Sequence, residues 1–136
     1  MLRLVLDSNI FISALVHRHG TTGRLLDLWR AGMYDLIVSD RLLGEVEAVL
    51  RRPKFGRVGA EDAAELLGVL RESALRAPDP PAGAPLTRDP ADDYLIRLAH
   101  AANAHAVVSG DAHLLELPPT VCRVLTPRAA VELLER

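Results

Sequence analysis

The chain has 136 residues, of which 49% are apolar and 25% charged, and a formal net charge of −2. These values suit one globular domain. They exclude a disordered chain and do not suggest a strongly basic duplex-binding module. Cys122 is the only cysteine, so an internal disulfide is impossible, which fits a reducing compartment.

A chain of this length buries roughly two thirds of its unfolded surface and needs no metal or disulfide to hold it folded. No apolar run approaches the ~18 residues of a membrane span, and Arg3 and Asp7 interrupt the N-terminal stretch. The expectation is a cytoplasmic protein with no membrane contact.

Residues 2–6 (LRLVL) are a short apolar run that predicts a buried strand, and the run stops on Asp7-Ser8-Asn9. A helix follows over 9–17. A second, over 22–31, puts Leu25, Leu26, Leu28 and Trp29 near one face and ends at Gly32. Leu36-Ile37-Val38 predicts another strand, running into Ser39-Asp40. Leu42, Leu43, Val46, Val49 and Leu50 mark an amphipathic helix over 40–52 that stops before Pro53. A further helix, over 60–76, carries Ala63, Leu66, Leu67 and Leu70.

Residues 78–90 (PDPPAGAPLTRDP) are the one Pro-rich stretch, read as a loop inside the domain. A helix over 92–103 leads to a strand at Ala106-Val107-Val108, which runs into Ser109-Gly110-Asp111. A fourth strand, Cys122-Arg123-Val124-Leu125, ends at Thr126-Pro127, and Pro127 opens a helix over 127–135. Strands alternating with helices imply one α/β domain over 1–136, with a parallel sheet covered on both faces.

In an open α/β sheet, ligands sit beyond the carboxyl ends of the strands. Asp7 and Asp111 fall at such ends, Glu45 lies about one turn into the helix after the 36–38 strand, and Asp92-Asp93 open the helix leading to the Asp111 strand. Like charges gathered at one rim cannot all stay ionised unaided. Either some hold protons, or a hard divalent cation neutralises them, and all-oxygen ligands favour Mg²⁺, Mn²⁺ or Ca²⁺ over zinc.

Simpler readings compete. A lone Asp between strand and helix is commonly an N-cap, and for Asp7 that alternative stands level with the functional one. Asp40 and Asp93 read as caps or solvated residues, and Asp89, before Pro90, as a turn residue. Glu45 and Glu47 flank the apolar face of their helix symmetrically, so periodicity does not separate them. Distance favours Glu45 weakly, by about 3 Å at a rise of about 1.5 Å per residue. Leu95, Ile96, Ala99 and Ala102 define the inward face of the 92–103 helix, which turns Asp92 inward and Asp93 away.

With these residues in view, the chain resembles PIN-domain proteins, in particular toxin components of toxin–antitoxin systems related to the VapC-type ribonucleases. The likeness runs through LVLDSNIFISAL, LIVSDRLLGEVEAVLRRPKF, RDPADDYLIRLA, AHAVVSGDAHLL and RVLTPRAAVELL, in that order. It implies a three-layer α/β/α sandwich with a central parallel sheet, and a Mg²⁺- or Mn²⁺-dependent nuclease site. The family's four acids fall on Asp7, Glu45, Asp92 and Asp111. Asp7, Asp92 and Asp111 are then the metal-holding residues, with Asn9, Ser109 and Asp93 in support. Where relatives often carry a further acid, this chain has His113.

The resemblance also implies an RNA substrate, a homodimer and an antitoxin protein that blocks the site. Arg18, Arg24, Arg41, Arg51, Arg52 and Lys54 are candidates for the approach of substrate phosphates. The rival reading is a PIN module that binds nucleic acid with weak or no catalysis, which His113 and the mildly acidic balance favour. Other α/β phosphoryl-transfer folds fit less well. A haloacid-dehalogenase-like phosphatase wants an acid two residues after Asp7, where Asn9 stands, and a receiver wants a lysine near the site, whereas Lys54 is the only lysine.

Overall fold

A computed structural model describes residues 1–56 and 58–136. The apolar run after the N-terminus forms β1 (Arg3–Leu6), and two helices, α1 (Ser8–Val16) and α2 (Thr21–Arg30), carry the chain to β2 (Asp35–Val38). Next come α3 (Asp40–Leu50), a 3-10 turn at Pro53–Phe55, α4 (Ala60–Ser73) and β3 (Leu75–Arg76). The second half contains α5 (Pro90–Ala101), β4 (Ala106–Val108), α6 (Ala112–Leu115), β5 (Val124–Leu125) and α7 (Pro127–Leu134).

The five strands form one sheet in the order β3-β2-β1-β4-β5, and every pairing is parallel. Helices α1, α2, α3, α4 and α7 pack among themselves, whereas α5 packs against β1 and β4. Right-handed crossovers account for this split. The chain leaves β1 toward β2 and β3, then returns to β4 on the other side of β1, so its next helix covers the opposite face. The result is the expected α/β/α sandwich.

Central strands buried on both faces must be apolar throughout. Leu4, Val5, Leu6, Leu36, Ile37, Val38, Val107 and Val108 are all buried. Each such side chain contributes about 1.5–3 kcal/mol when removed from water. Between α1 and α2 the chain turns so tightly that a Cβ on Gly23 would lie 2.1 Å from the Arg18 carbonyl oxygen, so only glycine fits there. Among the described residues, no helix is long and apolar enough to cross a membrane.

The structure departs from the sequence expectations at several boundaries. The helix expected over 60–76 ends at Ser73, and Leu75–Arg76 instead pairs with Ile37 and Val38 as an edge strand. Both strand residues are exposed, so no apolar pattern announces them. The one-turn helix α6 is likewise unannounced. The expected 122–125 strand shortens to Val124–Leu125, with Cys122 buried in the core. Asp89, read as a turn residue, is the N-cap of α5 and accepts the Ala91 N–H at 2.9 Å.

Candidate active site

β1 and β4 lie side by side where the chain reverses its direction of strand addition. In doubly wound sheets a crevice opens at that point, beyond the carboxyl ends of the strands. Asp7 follows β1 and its N–H donates to the Val108 carbonyl at 2.9 Å, so the β1–β4 ladder fixes its backbone. Asp7 occupies the N-cap position of α1, as the cap alternative expects, but its side chain makes no capping bond to the helix. Its carboxylate instead accepts the Ser109 hydroxyl at 2.9 Å on Oδ2 and the Ser8 hydroxyl at 3.4 Å on Oδ1.

Ser109 follows β4 and is fully buried. Its Oγ also accepts the Asp111 N–H at 3.0 Å, while Asp111 Oδ1 accepts the His113 N–H at 2.8 Å and caps α6. A single buried hydroxyl therefore ties two acids together. Asp111 is both a cap and a member of the acidic group.

Asp92 comes from the other face of the sheet, in the first turn of α5, and is only 9% exposed. Burial pushes its carboxyl above the ordinary aspartate value, and the charges of Asp89, Asp111 and Asp7 push it further, against a smaller opposing effect of His113. Asp7, Asp92 and Asp111 thus share one field. Asp92, Asp111, Asp89, His113 and Glu116 line an open cleft of about 710 Å³ with Thr87 and Arg88. Asp7 is not among the residues lining that cleft and is connected to it through Ser109.

The other predicted residues are placed differently. Glu45 is half-buried on α3, and its carboxylate lies 3.6 Å from the Arg41 guanidinium. Its charge is not among the largest influences on the Asp92 carboxyl. Glu47 pairs with Arg51 at 2.7 Å and Arg71 at 3.2 Å, away from the acidic group. Asn9 is exposed at the start of α1. Asp93 does not cap α5, and though partly exposed its carboxylate is engaged by the protein. It accepts the backbone N–H groups of Leu86 at 3.1 Å and Thr87 at 2.7 Å, and the Thr87 hydroxyl at 2.6 Å. These bonds hold its carboxyl below the ordinary value, the Thr87 hydroxyl contributing most. Asp40 is exposed, and α3 is capped by Ser39, whose Oγ accepts the Leu42 N–H at 3.2 Å.

Sequence reasoning passed over Ser8, Thr87 and Arg88. The signal available was the position of each beside an acid already singled out: Ser8 next to Asp7, and Thr87-Arg88 before Asp89.

The donors offered by Asp7, Asp92 and Asp111 are all carboxylate oxygens, suited to a hard divalent cation. Among the described residues, no three His, Cys, Asp or Glu side chains stand close enough together to enclose a metal ion. An Mg²⁺ ion characteristically keeps several waters and takes only one or two carboxylates directly, so an open arrangement of oxygen donors fits that ion chemically.

A family model described as PIN domain matches residues 3–113. An uncharacterized protein of Methanocaldococcus jannaschii is 27% identical over 117 residues, covering 85% of this chain and 75% of that relative. The fold is similar to a chain in the crystal structure of VapBC2 from Rickettsia felis bound to a DNA fragment from their promoter. That superposition has a TM-score of 0.63 at 16% identity and covers 92% of this chain and 98% of the other.

Proposed function

Because the chain belongs to the PIN domain family, we propose that it is a metal-dependent endoribonuclease, the toxin of a toxin–antitoxin pair, acting through Asp7, Asp92 and Asp111. One observation carries this reading. Asp92 is buried beside Asp111 and Asp7 at the carboxyl ends of the central strands, and its carboxyl is raised first by that burial and then by the charges of Asp89, Asp111 and Asp7. A protein that maintains such repulsion without a counter-charge loses stability for no return. A divalent cation that took one or two of these carboxylates directly and met the others through its waters would offset that repulsion.

When bound, Mg²⁺ or Mn²⁺ supplies Lewis-acid stabilisation for the charge that develops on the phosphate during phosphodiester hydrolysis. The chain's own residues do the rest. Ser109 holds Asp7 and the Asp111 backbone in register. Glu45, after its side chain leaves Arg41, orients the attacking water. Asn9 and Asp93 act in support, Asn9 beside Asp7 and Asp93 by holding the loop that precedes Asp92.

RNA as substrate, a homodimer, an antitoxin partner and a cytoplasmic location belong to the same proposal. The antitoxin reading draws on the fold likeness to the Rickettsia felis VapBC2 chain. A second reading, a PIN module that binds nucleic acid without cutting it, is favoured by one feature: Glu45 is paired with Arg41 rather than aimed at the acidic group.

The deciding experiment is cleavage of mixed single-stranded and structured RNA with Mg²⁺, Mn²⁺ or EDTA, beside Asp7→Asn. Asparagine keeps an oxygen to accept the Ser109 hydroxyl but loses the charge. The expected result is metal-dependent cleavage that falls at least about 100-fold in the variant. Binding of RNA without cleavage in either metal establishes the second reading instead.

A further inference from the structure

The acidic cleft contains one arginine among its lining residues, Arg88. Hydrogen bonds fix the backbone on both sides of it. Before it, the Thr87 N–H and hydroxyl both donate to Asp93 Oδ1. After it, the Asp89 N–H donates to the Thr87 Oγ at 3.2 Å, and the Asp89 carboxylate caps α5. Among the described residues, Arg88 has no carboxylate within ion-pair distance. The reason is local: the Asp89 carboxylate is engaged with Ala91 N–H and Asp92 is buried.

The cations expected from the sequence are placed elsewhere. Arg18 pairs with Asp62, Arg24 with Glu135, Arg41 with Glu45 and Arg51 with Glu47. None of these four, nor Arg52 or Lys54, lines the acidic cleft.

A cleft of carboxylates repels a polyanion, so a strand entering it needs a fixed cation at the rim. We propose that Arg88 is that cation, a substrate-binding residue whose guanidinium donates to the non-bridging oxygens of an RNA backbone phosphate as the strand enters the cleft. This rests on the endoribonuclease reading above. The guanidinium fork matches two phosphate oxygens at once, and a backbone already held by Thr87, Asp89 and Asp93 loses little freedom when the contact forms.

The test is steady-state cleavage of a short labelled single-stranded RNA with Mn²⁺ over a salt series, for wild type, Arg88→Ala, Arg88→Lys and, as a control, Arg30→Ala, exposed at the end of α2 that leads into the amino end of β2. Thermal melting of each variant confirms that it is folded. The expected result for Arg88→Ala is KM raised about tenfold with kcat little changed, and a plot of log(kcat/KM) against log salt that is shallower by about one unit. Lysine recovers part of the loss, and Arg30→Ala matches wild type. Wild-type cleavage with KM and salt slope unchanged in Arg88→Ala overturns the role of Arg88 and leaves the nuclease reading standing. A fall in kcat alone also overturns a binding role. Absence of cleavage by wild type in either Mg²⁺ or Mn²⁺ overturns the nuclease reading, and the role of Arg88 with it.

Discussion

Asp7 and Asp111 are joined by one buried hydroxyl: Ser109 Oγ donates to Asp7 Oδ2 at 2.9 Å and accepts the Asp111 N–H at 3.0 Å. The two acids sit on loops after different strands, so this atom sets their relative position. Ser109→Ala leaves the Asp111 N–H without its acceptor and Asp7 with only the longer Ser8 bond, at a part-buried position. The expected cost is about 1–3 kcal/mol in urea denaturation. Calorimetric titration with Mn²⁺ is expected to show affinity lowered by about tenfold, as for other groups that orient metal ligands. A variant that is destabilised but binds Mn²⁺ as wild type does would reduce Ser109 to a packing residue.

Asp92 makes a different prediction, about pH. Its carboxyl lies above the ordinary aspartate value because of burial and then the charges of Asp89, Asp111 and Asp7. A folded state with a raised carboxyl binds its proton more readily than the unfolded chain does. Stability therefore falls as pH rises from the ordinary value of about 3.9 through the raised one, and stays lower above it. In EDTA, Asp92→Asn is expected to be more stable than wild type at neutral pH, with the advantage shrinking as pH falls toward about 4. Adding Mn²⁺ should reverse the order, because only wild type keeps the full site. Wild type proving more stable in EDTA at pH 7 would mean that the repulsion at Asp92 is already relieved by the protein itself.

These residues differ in how far the sequence reveals them. Asp7 and Asp111 are legible because an apolar run must stop somewhere, and a run that stops on an acid marks the end of a buried strand. Asp92 is legible because the helix period turns it inward with Leu95, Ile96 and Ala99, and it is buried. Asp89 is ambiguous in the sequence because Asp before Pro signals a turn as well as an N-cap followed by proline in the first helical turn. The bonds of Asp93 run to a loop with no periodicity to announce them. β3 has only two exposed residues, and its pairing with β2 comes from tertiary placement rather than from hydrophobic pattern.

Glu45 and Glu47 remain the point where pattern gives least, because both flank the apolar face of α3. Their surroundings differ. Among the described residues, Glu47 is held by Arg51 and Arg71, whereas Glu45 has only Arg41, at 3.6 Å. Releasing Glu45 toward a substrate therefore breaks one long, partly exposed pair, a step of about 1 kcal/mol or less. Glu45→Gln is expected to lower kcat while leaving the melting temperature within about one or two degrees of wild type. Glu47→Gln is expected to lower the melting temperature slightly and leave kcat alone. The opposite pattern in the cleavage assay would move the fourth acid to Glu47.

The Pro-rich loop is anchored to the same rim from its other end. The Tyr94 hydroxyl, on α5, bonds both Ser39 Oγ and Asp79 Oδ1, and the Arg41 guanidinium lies 4.1 Å from the centre of the Tyr94 ring. Burial pushes the Asp79 carboxyl up, but hydrogen bonds from Tyr94, Ser39 and the Arg41 backbone outweigh it, and the net value is lowered. A lowered carboxyl stabilises the fold fully above the ordinary aspartate value. That contribution is lost as pH falls through the lowered value. Tyr94→Phe removes the bonds to Ser39 and Asp79 and leaves the fully buried Ser39 hydroxyl with one partner fewer. The expected cost at neutral pH is about 1–3 kcal/mol, with a smaller further loss on acidification than wild type shows. Hydrogen exchange should be faster at the Ala77 and Arg41 amides, which bond the Val38 carbonyl and the Asp79 carboxylate at this end of the loop. Exchange at the Leu86 and Thr87 amides should be unchanged, because Asp93 holds them independently. If both ends of the loop loosen together, the Tyr94 and Asp93 anchors form one cooperative unit, and Tyr94→Phe is then expected to lower cleavage through Arg88 as well.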